Sequence, residues 1–121
     1  MIEIIHSYSR KEAIAEGVLK DVSSTAAECG IRYPVALTVG VWAECVAVPP
    51  DVEGQDEAGR LWDVLTMLLY AIRTNAKGSE ISFVVHVRND NRVARPCSLR
   101  AVCGPGDELE PVITIMLPGE D

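Results

Sequence analysis

The sequence has few of the residues from which familiar active sites are built. Its two histidines, His6 and His86, stand alone. Its four cysteines, Cys29, Cys45, Cys97 and Cys103, include no CxxC pair and no histidine at ligand spacing, so neither a metal site nor a disulfide is expected and the thiols read as small reduced hydrophobes. No cofactor is implied. GxSxG, HExxH, GxGxxG and the Gly-rich phosphate loop ending in GKS or GKT are all missing, which excludes catalysis by those motifs. Long apolar runs are missing too: an uncharged stretch such as Val64 to Ile72 covers about nine residues and is far too short to cross a bilayer. The opening Met1-Ile2-Glu3-Ile4-Ile5-His6 lacks the basic start and unbroken apolar run of a secretory signal, so a cytoplasmic location is expected. Positive charge is scarce. Eleven Lys and Arg against eighteen Asp and Glu leave a formal net charge of −7, which repels phosphate backbones and disfavours nucleic-acid binding unless cations are segregated.

What is present describes an ordinary globular chain, with 48% hydrophobic and 24% charged residues. Its 121 residues suit one domain, spanning 1–121, that buries roughly two thirds of the surface its unfolded form exposes. The organising stretch is Asp56 to Asn75. Ala58, Leu61, Leu65, Leu68 and Ile72 recur at steps of three and four, the spacing that stacks side chains on one helical face. Trp62, Val64, Met67, Leu69 and Ala71 widen that face, leaving Asp56, Arg60, Asp63, Thr66, Tyr70 and Thr74 as a thin line for water. A sheet must cover one side of this helix. More helices of the same chain, or a second subunit, must cover the other, so monomer and homodimer both stand.

Short helices precede the long one. Ser9-Arg10-Lys11-Glu12 has capping-box spacing and opens a helix to about Glu16, with Gly17 placed to end it. Val18, Leu19 and Val22 read as an extended link, and a second N-cap near Ser23 to Thr25 opens a helix through Cys29, closed by Gly30. Tyr33-Pro34 forces an extended connection. Thr38 then caps a third helix, Val39 to about Ala47, which Pro49-Pro50 stops. Asp51, Glu53, Asp56 and Glu57 gather where negative charge complements the N-terminus of the long helix.

After Gly78 the period changes to alternation. Ile81, Phe83, Val85 and Val87 face one way, and Ser82, Val84, His86 and Arg88 the other. With Asn89-Asp90-Asn91-Arg92 as hairpin tip, strands at about Pro96 to Cys103 and Pro111 to Leu117 complete a three-stranded antiparallel meander. The expected fold is α+β: N-terminal short helices and one long central helix packed on that C-terminal meander, with Ile2 to Ser7 available as an extra strand.

One surface draws notice. Pairing the first two strands so that residue numbers sum to about 184 sets His86 opposite Ser98, Val84 opposite Arg100, and Thr114 beside Arg100. Arg88, Arg92, Arg95 and Arg100 then collect with His86 at one end of an acidic molecule, as candidate binding residues for a carboxylate-rich protein surface or a phosphate backbone, since arginine forks suit both. Their ordinary alternative is a solvated face guarding an edge strand. The acidic segments Asp51 to Glu57 and Asp107 to Glu110, with the tail Glu120-Asp121, offer a second contact surface, for a basic partner. No aromatic on the arginine face offers a stacking platform for single-stranded nucleic acid. A protein partner is therefore the expected ligand. A small enzyme with an unfamiliar pocket around His86 or a cysteine is the alternative, and weak nucleic-acid binding a third.

Several stretches together, Tyr8-Ser9-Arg10-Lys11-Glu12-Ala13-Ile14, Asp21-Val22-Ser23, Tyr33-Pro34-Val35-Ala36-Leu37-Thr38, Gly59-Arg60-Leu61-Trp62-Asp63-Val64-Leu65 and the ending Pro111 to Asp121, resemble a family of small uncharacterised bacterial proteins. Members are carried on plasmids, integrative elements and prophages. The likeness spans nearly the whole chain and brings no catalytic or binding residue with it. It implies an accessory protein of mobile DNA that acts by binding, as modulators of host defence or element transfer do.

Overall fold

A computed structural model describes residues 8–75 and 77–120; the run Ile2 to Ser7, considered above as a strand, lies outside them. The first helix, α1 (Arg10–Ala15), forms around its capping box. The Ser9 hydroxyl accepts from the Glu12 N–H at 3.0 Å, and the Ser9 N–H donates to the Glu12 carboxylate at 3.1 Å, so two otherwise orphaned donors are satisfied. Gly17 follows at φ +79°, a left-handed backbone that glycine adopts without a Cβ clash.

Two strands come next that alternation did not reveal. β1 (Leu19–Asp21) and β2 (Val35–Thr38) flank α2 (Ser23–Cys29). The first is only three residues long, and the second is buried on both faces, so neither carries a polar-apolar period. The N-cap of α2 is Val22, which has no side-chain capping bond. Ser23, expected near the cap, instead donates from its hydroxyl to Asp21 at 2.6 Å and accepts from the Val35 N–H at 3.0 Å, tying β1 to β2. Thr38 does cap the third helix, accepting from the Val41 N–H at 3.2 Å. That helix, α3 (Val39–Val41), passes at once into a π-turn over Trp42–Val46, closed by the Ala47 N–H to the Trp42 carbonyl at 2.8 Å.

The long helix, α4 (Glu57–Asn75), lies over β3 (Glu80–Val87), β4 (Arg95–Pro105) and β5 (Pro111–Met116). These three form the antiparallel meander expected, but it is part of a five-stranded sheet in the order β1-β2-β5-β4-β3, with β2 parallel to β5. The register also differs. His86 faces Pro96, Val84 faces Ser98 and Ser82 faces Arg100, while Thr114 lies beside Val102. This is a slip of two residues from the expected pairing. Such a slip keeps every side chain on its own face, so apolar alternation cannot detect it.

Leu65 and Leu68 of α4 are fully buried against Phe83, Val85, Leu99 and Ile115 in one continuous core. Two positions on the helix reverse their expected roles. Trp62 is 43% exposed, whereas Arg60, placed on the wet line, is only 5% exposed. No helix among the described residues is long and apolar enough to cross a membrane.

Candidate functional site

Of the five candidate residues, two are held by the chain itself. Arg88, just past β3, donates to the Asp90 carbonyl at 2.7 Å and to the Glu53 carbonyl. It belongs to a knot that includes buried Arg60. Arg60 Nε donates to the Cys45 carbonyl at 3.1 Å, Nη1 to the Arg88 carbonyl at 2.8 Å, and Nη2 to Asn89 Oδ1 at 2.6 Å and the Glu44 carbonyl at 3.4 Å. Burial lowers the Arg60 pKa, since leaving water disfavours the cation. Asn91 completes the knot, donating to the Asp51 carbonyl at 2.7 Å and accepting from the Glu53 N–H at 2.8 Å. The β3–β4 loop is thereby fastened to the π-turn and to the segment before α4.

Arg100 is held elsewhere. Its Nε lies 3.1 Å from Glu80 Oε2, and its Nη1 donates to the Glu120 carbonyl at 2.7 Å. Five positions along β4 separate it from Arg95, or about 17 Å, a distance that holds in either register, and the observed register sets it opposite Ser82, so it lies outside the cluster. Glu120 is engaged as well, accepting from the Thr38 hydroxyl and the Leu117 N–H, each at 2.7 Å.

His86, Arg92 and Arg95 lie toward the same end of β3 and all are exposed, with Arg95, opposite Val87, and His86, opposite Pro96, on different faces of the sheet. Asp90 stands between the two arginines. Its carboxylate accepts from the Arg92 N–H at 2.8 Å and the Val93 N–H at 3.2 Å, and lies 3.9 Å from Arg95. Those backbone donors, followed by the two arginines, hold its pKa below the usual carboxylate range. His86 lines none of the three cavities described below and faces Pro96 across the ladder.

The neighbouring strand edge was not anticipated as a site. β3 ends the sheet, and no described strand pairs with its outer side. The Cys103 N–H donates to the Ser79 carbonyl at 2.7 Å, which marks the odd-numbered residues of β3 as those bonded to β4 in this register. Glu80, Ser82, Val84 and His86 therefore turn their N–H and C=O groups outward. Neither proline nor lysine guards the strand, and the Val84 side chain is 41% exposed. The signal available in the sequence was an eight-residue alternating strand at the end of its sheet.

Cavities open at three places among the described residues. One of about 470 Å³, between the end of α4, the α2–β2 connection and the start of β3, is walled by Leu68, Leu69, Ile72, Ile81 and Cys103, with exposed Tyr33. A shallower one of about 840 Å³ lies on the opposite sheet face, between α1 and β5. A third, about 310 Å³, adjoins Glu44, Asn89, Arg95 and Cys97. Among the described residues no three His, Cys, Asp or Glu side chains are grouped to hold a metal.

The acidic loop at Asp107 has an internal task. Its carboxylate accepts from the Arg10 N–H at 2.9 Å and the Lys11 N–H at 3.0 Å, at the start of α1. These bonds hold its pKa below the ordinary value, so its stabilising effect is complete above the unfolded carboxylate pKa, near about 4, and is lost as pH falls through the lower folded value. In thermal melts Asp107→Asn is expected to lower Tm at pH 6, and the gap from the wild type is expected to shrink below about pH 4 and close in stronger acid. A gap that stays constant with pH contradicts that role.

Comparisons with curated proteins and with solved structures gave no match. A family profile does match, over residues 1–121. The chain thus belongs to a family of unknown function, DUF6573.

Proposed function

We propose that this chain is a binding protein that receives an extended segment of a protein partner along the free edge of β3. The outward ladder groups of Ser82, Val84 and His86 supply main-chain hydrogen bonds, as in strand addition to other sheets. Arg92 and Arg95, exposed at the His86 end, favour a partner whose strand carries carboxylates there, because arginine forks pair with them in two bonds. At the far end Glu80 is already paired with Arg100, so the charge preference is confined to the His86 end and the pairing has a direction. The observation that carries this reading is the eight-residue edge with alternate backbone groups facing outward. The family likeness to proteins of plasmids and prophages supports a bacterial partner engaged in host defence or element transfer.

Selection of displayed ten-residue peptides tests the reading. Recovered sequences are expected to alternate β-branched residues with polar ones and to carry Asp or Glu at one end. Val84→Pro removes an outward N–H and blocks strand addition, while an edge position tolerates proline; binding is expected to fall more than tenfold with a cooperative melt retained. Arg92→Gln with Arg95→Gln is expected to weaken binding several-fold and largely abolish its dependence on salt. Peptides that bind Val84→Pro as tightly as the wild type contradict the edge, and a chain that sediments as a β3-paired dimer replaces the partner by a second copy.

A further inference from the structure

We propose that Cys45 and Cys97 form an oxidative modification site, a dithiol that a hydroperoxide converts to a disulfide joining the π-turn to β4. Their sulfurs are in contact at 3.5 Å although the residues are 52 positions apart in the chain. A disulfide requires the sulfurs to close by about 1.5 Å more, to a bond near 2.05 Å. Cys97 is partly exposed and lines the 310 Å³ cavity, whereas Cys45 is 1% exposed. A small peroxide therefore reaches one sulfur and not the other.

The chemistry follows from that asymmetry. The Cys97 thiolate attacks the peroxide, the O–O bond breaks, and an alcohol or water leaves, so Cys97 becomes a sulfenic acid. The Cys45 sulfur then attacks Cys97 Sγ, the S–O bond breaks, and water departs carrying the Cys45 proton. In sum, two thiols and one hydroperoxide give one disulfide, one alcohol and one water. Burial pushes the Cys45 thiol up to about 12, which keeps it a thiol while Cys97 meets the peroxide and makes the closing step faster at higher pH. Cys29 and Cys103 serve as internal controls, since neither contacts another sulfur among the described residues.

The reduced full chain is treated with hydrogen peroxide in small excess, and its thiols are counted and its peptides mapped by mass. Titratable thiols are expected to fall from four to two, with one cross-linked peptide containing Cys45 and Cys97 and with Cys29 and Cys103 unmodified. Cys97→Ser is expected to lose the cross-link and keep its three thiols. Cys45→Ala is expected to accumulate a dimedone adduct at Cys97; if that variant does not fold, the wild-type peptide map alone decides. Four surviving thiols in the folded wild type, or oxidation first at Cys29 or Cys103, overturns the proposal.

Discussion

Leu65→Ala is expected to destabilise the chain by about 3 to 4 kcal/mol, the range for a fully enclosed leucine whose surroundings close only partly over the gap. For a chain of this size that corresponds to a Tm lower by roughly 10 to 15 °C. Leu65 has no exposed surface and sits where α4 meets the sheet. The sheet below it is cross-braced by its ladders and cannot collapse far into the space left by three carbons. Trp62→Ala serves as the contrast, because that ring is 43% exposed and its loss is expected to cost about 1 kcal/mol or less. Urea titrations give both numbers, provided the slope of the unfolding line is unchanged. Equal losses at the two positions contradict the placement of α4.

The second large effect is expected at Arg60. Arg60→Met keeps an unbranched apolar stem but removes the donors to the Cys45, Glu44 and Arg88 carbonyls and to Asn89 Oδ1. The Glu44 carbonyl keeps the Asn89 amide as donor at 2.9 Å, but the Cys45 and Arg88 carbonyls lose theirs and carry the desolvation cost, so about 3 kcal/mol of stability is expected to go. Lysine is expected to recover little. Its ammonium is a point donor on a flexible stem and cannot span acceptors on the π-turn and the β3–β4 loop at once. Limited proteolysis provides a separate reading: cleavage is expected within 47–56 and 88–94, the segments the knot fastens. A loss below about 1 kcal/mol, with no new cleavage, contradicts the anchoring role.

Arg60 also marks where sequence reasoning stops. Residue type placed it among polar residues facing water, yet oxygen acceptors on the π-turn and the β3–β4 loop draw it inward. None of those acceptors has a sequence signature, since all but one belong to the backbone. The long helix, the capping box at Ser9 and the alternating strands of the meander were legible because each depends on local spacing. β1 and β2 were not: a three-residue strand and a doubly buried one carry no period. For the site, His86, Arg92 and Arg95 lie toward the same end of β3, with His86 and Arg95 on opposite sheet faces, while Arg100 pairs with Glu80 and Arg88 with backbone carbonyls. The Cys45 and Cys97 contact depends on where the π-turn crosses β4, which spacing along the chain does not encode.

Amide hydrogen exchange along β3 tests the edge reading most directly. In the free, monomeric chain the amides of Phe83 and Val85, bonded toward β4, are expected to exchange slowly, and those of Ser82, Val84 and His86 quickly. Addition of a selected acidic peptide is expected to slow the second set and leave the first unchanged. Slow exchange at Ser82, Val84 and His86 before any peptide is added, or fast exchange there in the saturated complex, contradicts it.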